Sequence, residues 1–125
     1  MGIQPEQIRL HLERVLGEES LLLAELEQVL AAEAEIVRSN DPDAIENIGA
    51  NRQRCVARLV QLDGERANTC RMLSFGTGRE AFERLIAWCD PAHGLRPRWQ
   101  ANLARAHRCK DLNDRNGAVV MARMG

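Results

Sequence analysis

Apolar residues along the first forty positions fall into two neighbouring stripes with helical spacing. The first stripe advances in alternating steps of four and three residues, with Glu19 and Glu33 at two of its positions. Its apolar members are Ile8, Leu12, Val15, Leu22, Leu26, Val29 and Ile36. The second stripe repeats every seven residues and consists of Leu16, Leu23, Leu30 and Val37. Two adjoining stripes form a face wider than a two-stranded coiled coil requires, so we predict a long helix over residues 5–38 that contacts more than one neighbour.

A second long helix is predicted to follow after a tight turn. Asp41 carries a side-chain oxygen that can accept a hydrogen bond from a free backbone N–H, and Pro42 suits the first helical position. The alternating apolar steps then continue to about residue 75. Because the connection is so short, the two helices are expected to pack antiparallel.

Two further helices are predicted in the remaining sequence. Thr77, with Glu80 three residues later, is typical of a capping box at the start of a short helix over residues 79–89. Residues 90–94 then break the pattern, and Pro97 can begin the last helix. The apolar content is 45% but the aromatic content only 3%, which favours helix-on-helix packing. We therefore predict a single all-α domain over residues 1–125, an antiparallel bundle of three long helices plus one short helix with coiled-coil-like packing.

Charge is distributed unevenly between the two parts of the chain. Residues 1–50 contain 11 acidic residues and three arginines, whereas residues 51–125 contain seven acidic and 14 basic residues. No run of like charge is long enough to mark an interaction tail, so we expect an acidic helix to lie along a basic one within the bundle. With the first two helices antiparallel, Glu27 is predicted to lie near Arg52 or Arg54, and Glu13 near Arg66.

The sequence contains no constellation that indicates catalysis, a cofactor or a bound metal. The four cysteines are isolated from one another and have no histidine at ligand spacing, so we interpret them as small core residues of a protein in a reducing cytoplasm. Glu19 and Glu33 lie four turns apart on one helix and cannot share a metal ion. We predict that each is an ion-pair partner or a polar residue that sets the helix register. No segment resembles a signal peptide or a membrane span, so no membrane insertion is expected.

One local pattern near the carboxyl end stands apart from the helical periodicity. Asn113, Asn116 and Gly117 are poor helix formers, yet they lie inside an otherwise periodic segment. One interpretation is a helix end, with Gly117 as the C-cap. The other is a continuous helix in which both asparagines hydrogen-bond to another helix and Gly117 allows close backbone approach. The sequence alone leaves both interpretations open.

With these residues the chain resembles the FlgN family of flagellar type III export chaperones. The resemblance rests on the N-x-x-N-G element followed by Val119 and Val120, on the leucine-rich segment over residues 21–26, and on the order of the helices. It implies a cytoplasmic chaperone that binds and shields hook-associated proteins one and three before export and delivers them to export-gate components. The resemblance implies no enzymatic activity and no cofactor.

The resemblance also implies where the client protein binds. In the family, the C-terminal region carries much of the client contact, by helix-in-groove binding. The corresponding positions are Leu112, Asn113, Asn116, Gly117, Val119, Val120, Met121 and Met124. Family members continue past this element into an amphipathic tail, whereas this sequence ends at Gly125. The expected client surface is therefore either truncated or shortened here.

Two alternative functions remain open at this point. The chain could be a structural helical bundle that only oligomerises, because the wide apolar face permits a homo-oligomer as well as a monomer. A nucleic-acid-binding bundle is less favoured, since the aromatic residues that stack on bases are scarce. Such a bundle would use basic residues of the second part of the chain, namely Arg52, Arg54, Arg58, Arg96, Arg98, Arg105 and Arg108.

Overall fold

A computed structural model describes residues 2–124, with the side chains of residues 2–117, as four helices. In chain order these are α1 (Pro5–Ser39), α2 (Pro42–Met72), α3 (Arg79–Cys89) and α4 (Leu95–Met124). No strand occurs in this described part of the chain. The predicted all-α bundle of three long helices and one short helix is confirmed, and the first three helices begin and end, and the fourth begins, within about three residues of the predicted positions.

The first long helix is the centre of the molecule and packs along both other long helices. Helix α2 runs antiparallel to α1, since Glu19 forms an ion pair with Arg66 whereas Glu33, farther along α1, pairs with Arg52. The predicted antiparallel arrangement of the first two helices is thus confirmed.

Helix α4 lies on another side of α1 and runs in the same direction as α1. The Asn102 side chain donates a hydrogen bond to the backbone carbonyl of Leu16 (3.1 Å), and that of Asn116 donates to the carbonyl of Leu30 (2.9 Å). Asn116 lies farther along α4 than Asn102, and its partner Leu30 lies farther along α1 than Leu16. The two helices are therefore parallel. Helix α2 returns the chain to the amino-terminal end of α1, and the short helix α3 connects α2 to the start of α4 at that end.

The backbones of α2 and α4 stay apart, although some of their side chains meet over α1. Among the described residues, no Cα atom of α2 lies within 8 Å of a Cα atom of α4. The three long helices therefore form an open arrangement, with a cleft between α2 and α4 above one side of α1.

Helix α3 closes one end of this arrangement with a hydrophobic core. The Phe82 and Trp99 rings pack edge to face, with their centroids 4.6 Å apart. The buried members of this core are Ile8, Leu12, Leu16, Cys70, Ala81, Phe82, Leu85, Ile86, Cys89, Leu95 and Trp99. The core draws on all four helices, so it fixes the positions of α2 and α4 relative to α1 at this end.

The turn between α1 and α2 forms as its residues predict. Asn40 ends α1 in the left-handed conformation (φ 58°), which asparagine tolerates better than most residues. The Asp41 side chain then accepts hydrogen bonds from the backbone N–H groups of Asp43 (3.1 Å) and Ala44 (3.3 Å). The predicted N-cap at Asp41 is confirmed.

The start of α3 differs from its prediction. The N-cap is Gly78, which has φ 90° and makes no side-chain hydrogen bond, so the expected capping box of Thr77 and Glu80 is wrong. Glycine adopts this backbone conformation without steric cost, and Gly78 therefore turns the chain into the helix in place of a capping side chain.

The start of α4 depends on a residue that the sequence gave no reason to single out. Asp90 is buried, and its side chain accepts a hydrogen bond from the backbone N–H of Leu95 at 2.7 Å. This bond satisfies one of the free N–H groups at the helix start, so α4 begins two residues before Pro97.

The four cysteines are all buried and unpaired, which confirms their predicted role as core residues. Burial raises the pKa of each thiol, and it raises that of Cys89 to about 11. Among the described residues, no helix is long and apolar enough to cross a membrane.

Candidate functional site

The open side of α1 forms a long groove, which we call the α2–α4 groove after its two walls. It has a volume of about 1250 Å³. Its floor is the apolar face of α1, made by Leu23, Leu26, Leu30 and Val37. All four are buried among the helices, although they also line the groove. The wide apolar face predicted for the first helix is therefore only partly covered by its two neighbours.

The walls of the groove are also largely apolar. The side chains of α2 that line it include Ile45, Val56, Ala57, Leu59 and Val60. Those of α4 include Trp99, Leu103, Ala106 and Cys109. Val56 is 42% exposed and Val60 is 63% exposed, which is unusual for two valines one turn apart on the same helix. An apolar groove with exposed aliphatic walls is a surface that another apolar element would cover favourably.

A cluster of polar side chains crosses the groove at the end nearer α3; we call it the near polar layer. Glu19 is 5% exposed and forms an ion pair with Arg66 of α2. The Asn102 side-chain nitrogen donates to Glu19 Oε1 at 3.1 Å. The Arg66 guanidinium also lies 5.0 Å from the ring centroid of Trp99, and its burial lowers the pKa of Arg66. Glu19 therefore connects α2 and α4 across α1.

A second cluster with the same three residue types, the far polar layer, crosses the groove toward the other end. Glu33 is 5% exposed and forms an ion pair with Arg52 of α2. The Asn116 side-chain nitrogen donates to Glu33 Oε1 at 3.2 Å, in addition to its bond to the Leu30 carbonyl. The prediction that Glu19 and Glu33 are ion-pair partners is confirmed at both positions.

In each of the three long helices, the residues that contribute to the two polar layers are 14 positions apart. Glu19 and Glu33, Arg52 and Arg66, and Asn102 and Asn116 are all separated by this distance in the sequence. An apolar layer lies between them, where the Cys109 thiol is 3.7 Å from the carbonyl oxygen of Leu23. Its buried members are Leu23, Leu26, Leu30, Cys55 and Cys109, with Leu59 and Leu112 packed against them. The groove therefore alternates polar, apolar and polar along its length.

The predicted ion pairs of Glu27 with Arg52 or Arg54, and of Glu13 with Arg66, are wrong, because both glutamates pair with other residues. Glu27 pairs with Arg105 (3.2 Å) and Arg108 (3.5 Å) of α4, and not with α2. Glu13 pairs with Arg9 one turn away, at 2.8 Å. The physical reason is burial: a buried carboxylate without a partner is costly, and the arginines Arg52 and Arg66 of α2 pair with the buried Glu33 and Glu19.

Acidic residues of the first part of the chain pair with basic residues of the second part within the bundle, as the sequence indicated. Besides the two polar layers, Arg58 of α2 donates hydrogen bonds to Glu18 of α1 at 2.7 and 2.9 Å. The bonds from Arg58 hold the pKa of Glu18 below its usual value. Together with the pairs of Glu27 to α4, these contacts confirm that acidic α1 lies along basic neighbours.

The residues predicted to bind a client protein fall into three groups. Asn113, Asn116 and Gly117 line the α2–α4 groove. Leu112 is half-buried and packs against the apolar layer. The side chains of Val119, Val120, Met121 and Met124 lie outside the described residues.

The asparagine–glycine element lies inside a continuous helix, because α4 extends through it to Met124. The predicted hydrogen bonds from Asn116 to another helix are confirmed. Asn113 is exposed and makes no such bond within the described residues. The expected close approach at Gly117 is wrong, since a Cβ atom there would have no atom within 4 Å among the described residues.

The sequence prediction missed the groove itself and the role of α2 as one of its walls. The signal that could have revealed the site is the recurrence of Glu, Arg and Asn at the same 14-residue interval in three different helices. Such a recurrence places like residues at equivalent positions two heptads apart.

Comparison with protein families gives one match. The family model described as "FlgN protein" matches residues 11–125, which is more than nine-tenths of the chain. No curated protein and no solved structure matches the chain.

Proposed function

The chain belongs to the FlgN family of flagellar export chaperones, and on this premise we propose that the α2–α4 groove binds a helix of its client proteins. We propose hook-associated proteins one and three as the clients, bound and shielded in the cytoplasm and then delivered to the export gate. The family is not known to be enzymatic, and the proposal includes no catalytic step.

The open apolar groove is the observation that carries this proposal. The apolar face of α1 lies at the bottom of a cleft whose α2 wall exposes Val56 and Val60, and a fourth helix lying between α2 and α4 would complete a four-helix arrangement. Helix-in-groove binding uses the apolar face of an amphipathic helix on one partner and an apolar groove on the other. A client helix held in this way would have its own assembly surface covered.

The charge distribution disfavours nucleic acid as the ligand. Several arginines that could contact phosphates are already paired with glutamates, among them Arg52, Arg58, Arg105 and Arg108. Of the arginines that line the groove, Arg52 is paired with Glu33 and Arg66 with Glu19. We therefore expect little salt-dependent binding of DNA.

The proposal is tested by placing a charge on the groove wall. Val60→Glu puts a carboxylate on a residue that is exposed in the free chaperone, so the fold should tolerate it. We expect it to weaken binding of the terminal helical segments of the hook-associated proteins at least tenfold, which corresponds to about 1.4 kcal/mol. Isothermal titration calorimetry measures the affinity, and circular dichroism measures the helix content.

Met72→Glu is the matched control. Met72 lies on the same helix, is 67% exposed and does not line the groove. The Met72→Glu substitution should leave the affinity for the client segments within about twofold of that of the unsubstituted protein. Equal losses in both variants, or no loss in Val60→Glu, would show that the client binds elsewhere.

We also propose that the end of α4 extends the client contact beyond the described groove. This part of the proposal rests on the family resemblance and concerns Val119, Val120, Met121 and Met124 together with Leu112. Replacing Val119 and Val120 by serine should weaken client capture and leave the helix content unchanged. Unfolding of the domain by these changes would instead show that the two valines complete its core.

A further inference from the structure

The two polar layers of the α2–α4 groove leave hydrogen-bonding capacity unused. The Asn102 side-chain nitrogen bonds to a carbonyl and a carboxylate oxygen, which both accept only, so its amide oxygen Oδ1 must point away from them. The same holds for Asn116 in the far polar layer. Within the described residues neither Oδ1 atom receives a hydrogen bond. Any helix that covers the groove would bury both acceptors.

The near polar layer also contains a donor without a partner. Trp99 is 6% exposed, lines the groove, and its buried Nε1 has no hydrogen-bond acceptor within the described residues. Trp99 and Asn102 are three residues apart on α4, so their side chains lie on the same face of the helix. Because Nε1 is itself buried in the free chain, it lies out of reach of a helix in the groove, and the free group that the near polar layer offers to an occupant is the acceptor Asn102 Oδ1.

Unlike the polar layers, the apolar layer between them favours apolar side chains on the helix that fills the groove. Fourteen residues separate the two polar layers on α1, and this corresponds to about 21 Å at 1.5 Å per residue. The buried side chains in this stretch are aliphatic or thiols and offer no strong partner to a polar group, whereas its polar lining residues are exposed at the rim, namely Gln53, Asp63, Lys110 and Asn113. A polar client side chain buried here would lose its hydrogen bonds to water, at a cost of about 1–3 kcal/mol.

From these observations, and resting on the proposed client function, we propose that the groove selects its client helix by a polar–apolar–polar pattern. The buried stripe of that helix carries hydrogen-bonding side chains two heptads apart, with an unbroken apolar run between them. Glutamine suits the polar positions, because its amide nitrogen can donate a hydrogen bond to Asn102 Oδ1 in one layer and to Asn116 Oδ1 in the other. The pattern fixes one register for the client along the groove, in the way that single polar residues fix register in coiled coils.

The longest helix of a second copy of this chain does not have the polar–apolar–polar pattern that the groove favours. The exposed face of α1, which is the longest helix, carries Arg14, Glu25 and Glu35 at intervals along its length. Docked in the groove, this face would bring charged side chains against the apolar layer, which is strongly unfavourable. The pattern therefore points to a helix of a different protein.

Two synthetic helical peptides of identical composition test the proposal. Both carry leucine at the a and d positions of four heptads and two glutamines in that stripe. The glutamines are two heptads apart in the first peptide and one heptad apart in the second, so that at most one glutamine of the second peptide can lie in a polar layer in any register. Binding is measured by Trp99 fluorescence in full-length Trp88→Phe protein and by calorimetry.

We expect the first peptide to bind at least tenfold more tightly than the second. Equal affinities, or tighter binding of the second peptide, would overturn the proposed pattern. If neither peptide binds while the hook-associated segments are still captured, the pattern is wrong and the proposed function stands. If the first peptide binds and those segments do not, the pattern is supported and the proposed clients are wrong.

Discussion

At the scale of single residues, the buried glutamates of α1 determine where the polar side chains of the other helices go. An ionised carboxylate inside an apolar interface is stable only with partners that neutralise and hydrogen-bond it. Each of Glu19 and Glu33 has an arginine from α2 and an asparagine from α4. The asparagines also bond to backbone carbonyls of α1, so their substitution affects two contacts at once.

Asn116→Asp tests the far polar layer. The new carboxylate would lose both donated hydrogen bonds and lie beside Glu33, so we expect the free energy of unfolding at pH 7 to fall by at least about 2 kcal/mol. Asn113→Asp makes the same chemical change one turn away at an exposed position, where we expect an effect within about 0.5 kcal/mol. Urea denaturation measures both. Similar losses in the two variants would contradict the assignment of Asn116 to a buried network.

The buried thiols predict how stability depends on alkaline pH. Burial raises the pKa of Cys89 from its usual 9.0 to about 11, so the thiol ionises in the unfolded chain at a lower pH than in the folded protein. This contribution to stability is fully present below pH 9 and is lost as the pH rises toward 11. One such thiol lowers the free energy of unfolding by up to about 1.4 kcal/mol per pH unit in that range.

The contribution of this thiol is isolated by comparing Cys89→Ala with the unsubstituted protein. The variant should be less stable at pH 7 because a buried side chain is lost, but its stability should fall less steeply between pH 9 and 11. Parallel declines in the two proteins, measured by denaturant titration at each pH, would show that Cys89 does not contribute.

At the scale of helices, glycines have different roles according to their backbone conformation. Gly78 turns the chain into α3 with φ 90°, a conformation that other residues rarely adopt. Gly117 lies within α4, where a Cβ atom would meet open space. Glycine in a helix interior is less stable than alanine by about 0.5–1 kcal/mol, so Gly117 lowers the stability of α4 and packs against nothing described.

The paired substitutions Gly117→Ala and Gly78→Ala should therefore have opposite effects. We expect the first to raise the free energy of unfolding by about 0.5–1 kcal/mol and the second to lower it by about 1 kcal/mol or more. Thermal unfolding followed by circular dichroism measures both changes. A loss of stability in Gly117→Ala would mean that α4 ends at this glycine in solution, as in the C-cap interpretation.

At the scale of the whole molecule, the sequence predicted the helices better than their assembly. Capping at Asp41 and the apolar stripes of α1 depend on neighbours in the sequence, and their patterns are visible without the fold. The pairing of Glu27 with α4 depends on which glutamates become buried, and burial follows from the packing of all helices together. Helix periodicity does not determine that packing.

The groove was missed for the same reason. A wide apolar face on α1 predicts more than one neighbour but does not say that the neighbours leave part of it open. The opening results from the separation of α2 and α4, which α3 and its core fix at one end of the molecule. The family resemblance pointed to the carboxyl-terminal residues, of which Asn113, Asn116 and Gly117 lie in the groove, and it gave no indication of the α2 wall.

Photo-crosslinking from the groove wall tests most directly whether a client helix occupies the α2–α4 groove. Benzoylphenylalanine is introduced at Val60, or at Met72 on the same helix outside the groove, and each chaperone is bound to full-length hook-associated protein before irradiation. We expect efficient crosslinks from position 60 to a single helical segment of the client, and few from position 72. Equal crosslinking from both positions, or crosslinking from position 72 alone, would contradict binding in the groove.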